Sequence, residues 1–203
     1  MICGILLAAG SASRFGSHKL LYPLPDGTPI GVAAARHLKQ GVEYAIAVVR
    51  PDDAKLAALL HAEGLTTVVS EHAERGISAS MVSAISATAN ADGWLIALAD
   101  MPWIKPQTIS TIAMMLEQGA HLAAPCHAGQ RGHPVGFSHR FLPDLLGLTG
   151  DKGASDLMRT NIDLLEYFHC NDAGTLQDID QPQDLMAKPA ISSIQIRSVV
   201  AIA

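Results

Sequence analysis

Residues 2–9 form an unbroken apolar run that halts at Gly10, the pattern of a buried strand emptying into a turn. Further runs rich in β-branched and aliphatic residues lie at 44–49, 66–70, 94–99 and 121–125. Between them the apolar positions take up helical spacing, which predicts helices over 29–40, 52–63, 77–89 and 105–118. In the last of these Ile109, Ile112, Ala113 and Leu116 share one face, and Gly119 supplies a stop. Strand and helix alternating in this way predict an α/β fold whose parallel strands are joined by crossover helices.

After Gly129 the rhythm changes. Residues 131–138 read as an extended segment or hairpin arm, and 143–153, rich in Gly and Leu, as an insertion on the substrate side. No internal repeat, charge block or low-complexity linker divides the chain, so one domain is expected over 1–190. The tail 191–203 follows Lys188-Pro189 and alternates weakly; it reads equally as an edge strand or a disordered end.

Composition narrows the picture. The chain is 49% hydrophobic but only 4% aromatic, so Ala, Leu, Ile and Val carry the packing, as suits helices layered on a buried sheet. A formal net charge of -5 argues against a surface built for nucleic acid or an anionic membrane and favours a small anionic partner held in a basic cleft. The three cysteines are an odd number without a C-x-x-C pair, so neither a disulfide framework nor a thiolate zinc site is indicated, and a reducing cytoplasm is expected. The apolar N-terminus lacks the basic flank of a signal peptide, and no stretch reaches the ~20 apolar residues of a membrane span.

The candidate chemistry begins in the turn after the first run. Gly10 and Gly16 let backbone N–H groups turn toward an anion, Ser11 and Ser13 add small polar groups, and Arg14 and Lys19 can neutralise a triphosphate. The spacing is neither that of a P-loop nor that of a dinucleotide fingerprint. The run 94–99 ends on Asp100, which puts a carboxylate at the sheet edge where ligands of open α/β folds collect; a turn cap before Pro102 explains the same residue. A hard oxygen ligand there suits magnesium. Asp180, within a cluster of aspartates at 178, 180 and 184, is either a second ligand or the N-cap of a helix starting near Pro182. Gly76, Ser78 and Ser80 open the third helix, where they hold a ligand or simply cap it. His121, His127, His133 and His139 recur at equal intervals that match no zinc template.

Leu7-Ala8-Ala9-Gly10, then Arg14-Phe15-Gly16 and Lys19-Leu20, resembles the signature loop of the MobA-like nucleotidyltransferases. The version with Ala9 is similar to the molybdenum cofactor cytidylyltransferase (MocA-like) branch, whose guanylyltransferase relatives carry glycine there. The run Ala97 to Pro102 resembles the family's metal-binding element, and the segment from Asp178 to Leu185 its late acidic element, with Gln181 and Gln183 as departures. Arg131-Gly132-His133-Pro134-Val135 and Gly150-Asp151-Lys152-Gly153-Ala154 are similar to its acceptor-side segments.

The resemblance implies a three-layer Rossmann-like fold of the nucleotide-diphospho-sugar transferase type. It implies that Leu7, Ala8, Ala9, Gly10, Ser11, Arg14, Lys19, Gly76, Ser78 and Ser80 hold CTP, with Asp100 and Asp180 holding Mg2+. Arg14, Lys19 and Asp100 are then the catalytic set. Arg131, Gly132, His133, Pro134, Asp151 and Gly153 face molybdopterin or the molybdenum cofactor, although a lone histidine and a glycine turn are also ordinary structural features. The implied reaction is transfer of CMP to the terminal phosphate of the cofactor, whose product passes to a molybdenum hydroxylase or its maturation chaperone. The alternatives are guanylylation of the same cofactor, nucleotidylation of a sugar phosphate, and a carrier that binds the cofactor without turnover.

Overall fold

The computed structural model describes residues 1–10, 15 and 18–186. Its centre is β1 (Ile2–Leu7), six consecutive buried residues, as the opening apolar run requires. Around it lie β2 (Tyr44–Val49), β3 (Thr66–Val69) and β4 (Gly93–Leu98), all parallel, in the order β3-β2-β1-β4. The connecting helices are α1 (Ile30–Gly41), α2 (Ala54–Ala62) and α3 (Ile77–Ala87), and α4 (Pro106–Glu117) leaves β4. Each expected helix is present with its ends shifted by at most two residues.

The second half departs from simple alternation. β5 (Leu122–His127) is followed by the short β6 (Gln130–Arg131) and by β7 (Val135–Ser138), which is the anticipated arm. β7 is antiparallel to both β4 and β5 and lies between them. The Gly- and Leu-rich stretch contributes α5 (Leu142–Leu146) and a turn, after which come α6 (Ser155–Thr160) and β8 (Leu165–His169). β8 runs parallel to β5, half exposed. Neither α6 nor β8 was anticipated, because six and five residues are too few for a periodicity to stand out.

The strands alternate their side chains between two helical layers. Ile2 and Leu6 pack in one cluster with Leu38, Leu56, Ile109 and Ile112; Cys3, Ile5 and Leu7 pack in the other with Met81, Ile85, Leu145 and Met158. Burial of the sheet on both faces explains why its strands read as continuous apolar runs. The fold is thus three-layer α/β, Rossmann-like, with a mostly parallel sheet. No helix among the described residues is long and apolar enough to cross a membrane. Residues 191–203 lie outside the described residues.

Candidate functional site

Parallel strands β1, β2 and β4 end at one edge, and the chemistry gathers there. Asp100 follows β4 by two residues, held in place as Ala99 N–H donates to the Leu7 carbonyl at 3.1 Å. The Asp100 carbonyl in turn accepts from Ile179 N–H at 2.9 Å, and the Ile179 side chain is fully buried. That anchor carries Asp180 across to the same edge. Asp184 caps the short turn of helix Pro182–Met186, its Oδ2 accepting from the N–H groups of Asp180 (2.9 Å) and Gln181 (2.7 Å). That fixes the backbone at residues 180–181, and the Asp180 carboxylate lines the cleft.

It points to Lys19, whose Nζ donates to Asp100 Oδ2 at 2.8 Å and Asp180 Oδ1 at 3.4 Å. Three residues separated by 81 and 161 positions in sequence meet at one ammonium. The Lys19 side chain is 13% exposed, that of Asp100 25% and that of Asp180 48%. Burial opposes the lysine's charge, but the hydrogen bonds and charge of Asp100, then of Asp180, outweigh it and hold the ammonium above its ordinary pKa.

The cleft around this cluster measures about 540 Å³ and is walled by Leu7, Gly10, His18, Lys19, Arg50, Asp52, Asp53, Asp100 and Asp180, with Leu20 beneath. A second cleft of about 510 Å³ shares Leu7, Gly10, Arg50 and Asp100 and continues along Ala9, Glu74, Gly76, Ser80 and Asp151. Together they form a two-part groove pivoting on Asp100 and Arg50. Four residues here escaped the sequence reading. Arg50, Asp52 and Asp53 follow β2 directly, so the strand-end rule that singled out Asp100 would have found them too. His18 carried no signal; its Nε2 lies 2.6 Å from Oδ2 of buried Asp53, whose Oδ1 caps α2 by accepting from Leu56 N–H at 3.3 Å.

Of the expected nucleotide residues, Leu7, Ala9, Gly10, Lys19, Gly76 and Ser80 line the groove. Ala8 belongs instead to the core on the α1 side, and its N–H donates to Val48 O at 2.9 Å. Ser78 is fully buried and ties the loop before α6, its hydroxyl donating to Thr149 O at 3.1 Å and its N–H to Gly150 O at 3.3 Å. Gly76 has φ +105°, and a Cβ there would collide with the Asp151 carboxylate, so the approach of that loop to α3 requires glycine. Ser11 and Arg14 lie outside the described residues.

The expected acceptor residues are more scattered. Asp151 lines the second cleft beside Asp100, while Gly153 packs against Ile77 and Met81 of α3. Gly132 and Pro134 are buried, and the N–H groups of Gly132 and His133 donate to Pro125 O (2.8 Å) and Thr175 O (2.9 Å). Arg131 opens onto a separate hollow of about 300 Å³ with Met158, Arg159, Ile162 and Tyr167. His133 has its Nδ1 buried with no hydrogen-bond partner among the described residues. Burial, then the Arg131 charge, push its pKa down to about 4 against a smaller opposing pull from Asp178, so the ring is neutral at pH 7.

The donor set bears on metal binding. Asp100 and Asp180 offer hard carboxylate oxygens, partly open to solvent and already converging on a cation, the Lys19 ammonium. No group of three or more His, Cys, Asp or Glu able to hold a metal exists among the described residues. Two carboxylates without a closed cage fit an ion such as magnesium or manganese that completes its shell with water and phosphate oxygens, and do not fit structural zinc.

A family model described as the MobA-like NTP transferase domain matches residues 4–166. Purine catabolism protein PucB of Bacillus subtilis (strain 168) is 28% identical over 202 residues, covering 94% of this chain and 98% of PucB. Nicotine blue oxidoreductase of Paenarthrobacter nicotinovorans is 24% identical over 193 residues, covering 91% and 94% of the two chains. Among solved structures, Rv0371c from Mycobacterium tuberculosis H37Rv superposes with a TM-score of 0.78 at 27% identity, covering 91% of this chain and 95% of its own. Rv0371c has also been solved in complex with manganese, and that structure superposes with a TM-score of 0.73.

Proposed function

The chain belongs to the MobA-like NTP transferase family, and on that premise we propose that it transfers CMP from CTP to the terminal phosphate of molybdopterin or its molybdenum-loaded form, releasing pyrophosphate. The observation that carries the reading is the meeting of Lys19, Asp100 and Asp180 at the carboxyl edge of the parallel sheet. One cation and two hard-oxygen ligands at that edge are what a phosphoryl centre demands.

The acceptor phosphate is mostly dianionic at neutral pH, since its second pKa is near ~6, and needs no general base. One of its oxygens attacks the α-phosphorus of CTP in line; a new phosphorus–oxygen bond forms, the α–β anhydride bond breaks, and pyrophosphate leaves with that bond's electron pair. Lys19 stabilises charge on the α-phosphate and the leaving group, and Arg14 serves the same phosphates from the glycine-rich loop. Asp100 and Asp180 would hold the divalent cation, Mg2+ in the cell, which neutralises phosphate charge when bound. Manganese in the Rv0371c complex is consistent with a divalent ion in this frame. The second cleft, with Ala9, Gly76 and Ser80, receives base and ribose; Arg131, Gly132, His133, Pro134, Asp151 and Gly153 serve the acceptor. His133, being neutral, contributes a hydrogen bond rather than charge.

The assignment of CTP rests on Ala9. Delivery to a molybdenum hydroxylase or its chaperone, in the cytoplasm, completes the proposal. Because one relative is named for purine catabolism and another as an oxidoreductase, the reaction is decided by assay and not by the frame. The test is pyrophosphate release with CTP, GTP, ATP and UTP in the presence of purified molybdopterin. Release with CTP, abolished by Asp100→Asn in a folded protein, is the expected result. Preference for GTP overturns the base, activity only with a sugar phosphate overturns the acceptor, and tight cofactor binding without pyrophosphate release points to a carrier.

A further inference from the structure

Lys19 lies between Asp100 and Asp180, the two carboxylates proposed above to hold a metal ion. Its side chain is 13% exposed, and its ammonium contacts both carboxylates. Lys19 holds Oδ2 of Asp100 and Oδ1 of Asp180, and a divalent cation bound to those same oxygens meets like-charge repulsion from the ammonium. Among the described residues the other carboxylates of the first cleft already have partners: Asp53 is engaged by His18 and the start of α2, and Asp52 by Arg50, with Nε to Oδ1 at 3.4 Å.

From this contact, and resting on the nucleotide-transfer reading, we propose that Lys19 is an internal counter-ion that competes with the divalent metal for Asp100 and Asp180. A metal arriving alone must expel the ammonium without offering it a new partner. A nucleoside triphosphate offers one, because its phosphates attract the lysine on its flexible four-carbon stem and draw it off the two carboxylates. Metal and nucleotide therefore bind with positive coupling beyond their direct contact. By linkage, each raises the other's affinity by the same factor. The consequence for the enzyme is that a metal-loaded but empty site is scarce, and the catalytic cation is assembled together with its substrate.

The test is Mn2+ binding, followed by the electron paramagnetic resonance signal of the free ion, with and without a CTP analogue whose α–β bridge is a methylene. Without nucleotide, Lys19→Met and Lys19→Gln are expected to bind Mn2+ roughly tenfold tighter than wild type, the scale of a partly buried ion pair. Arg50→Met, which removes an equal charge from the same groove, should change it no more than about twofold. Addition of the analogue should tighten Mn2+ binding by wild type more than by the Lys19 variants. Equal effects at Lys19 and Arg50 would mean general electrostatics and overturn the proposal, as would unchanged affinity in the Lys19 variants. Should those variants fail to fold, the acetylation rate of Lys19 in wild type, read by peptide mass spectrometry, decides: Mn2+ must raise it, and no change overturns the counter-ion role. Failure of the transfer reading would show separately, as absent pyrophosphate release with the metal affinities as expected.

Discussion

Replacing His133 with asparagine removes a titration that the fold suppresses, and the size of the effect can be worked from its surroundings. The ring sits with Nδ1 buried and unpartnered among the described residues, and its pKa falls from 6.5 to about 4, chiefly through burial and secondarily through Arg131. Between those values the unfolded chain binds a proton that the native state refuses. Stability from this group is present in full above pH 6.5 and is lost as pH falls toward 4. The full loss is at most about 3.4 kcal/mol at 1.36 kcal/mol per pKa unit, of which about 2 kcal/mol falls between pH 7 and pH 5. Urea unfolding followed by the fluorescence of Trp94 and Trp103, repeated at pH 7, 6 and 5, measures it. Every other titrating group is common to both proteins, so the difference between wild type and His133→Asn isolates the ring. Wild type should lose about 2 kcal/mol more than the variant over that range. Parallel curves would refute the reasoning and imply an imidazole able to charge at neutral pH, which would restore an electrostatic role toward an acceptor phosphate.

Three further outcomes follow from single contacts. Asp172 is 2% exposed and accepts from Lys105 N–H (2.9 Å), the Thr108 hydroxyl (2.7 Å) and Gly174 N–H (3.2 Å). Asp172→Ala strands those donors and should cost about 3 kcal/mol in urea unfolding, with Asp172→Asn milder. Asp53→Asn keeps an oxygen for the α2 cap but changes the partner presented to His18, so its melting temperature should stay near wild type, whereas Asp53→Ala loses about 1 kcal/mol; equal losses would deny the cap. Gly76→Ala meets both a positive φ and the Asp151 carboxylate, and should destabilise by about 1–2 kcal/mol in chemical denaturation and weaken nucleotide binding.

Legibility followed the length and regularity of the pattern. The long helices and buried strands of the first half were readable because twelve-residue periods and six-residue apolar runs have few competing interpretations. β8 was not, since an edge strand with one wet face shows little contrast over five residues. At the site, Asp100 was readable from its place after β4, and Arg50 and Asp53 could have been found by the same rule after β2. Ala8 and Ser78 were assigned to the nucleotide because they sit inside recognisable motifs, yet burial takes one into the core and the other into a loop anchor. A motif names a segment; the pleat of the strand and the turn of the helix decide which of its residues face the ligand.

The reversed direction of β7 turns the proposed acceptor segment toward the carboxyl end of β4. A fully parallel continuation would have delivered β7's carboxyl end to the edge and the segment before it to the opposite edge. Because β7 is antiparallel to β4, with Val135 opposite Ile96, the residues preceding it lie where β4 finishes. Residues 131–134 thereby lead into β7 from the carboxyl end of β4, and Thr175 O fixes His133 N–H at 2.9 Å. The same segment, 173–179, is pinned at its far end by Ile179 N–H on the Asp100 carbonyl. Asp172, at its start, caps α4 through Lys105 N–H. The proposed nucleotide residues Leu7, Gly10 and Lys19 therefore line the cleft with Arg50 after β2, the proposed acceptor segment leads into β7, and one short segment ties to both Asp100 and His133. Loosening that brace should disturb acceptor and metal together while leaving nucleotide affinity largely intact. For Asp172→Asn this means a raised KM for the acceptor and weaker Mn2+ binding, with the CTP dissociation constant changed by less than about threefold, whereas a uniform loss across all three ligands would show that Asp172 acts only through global stability.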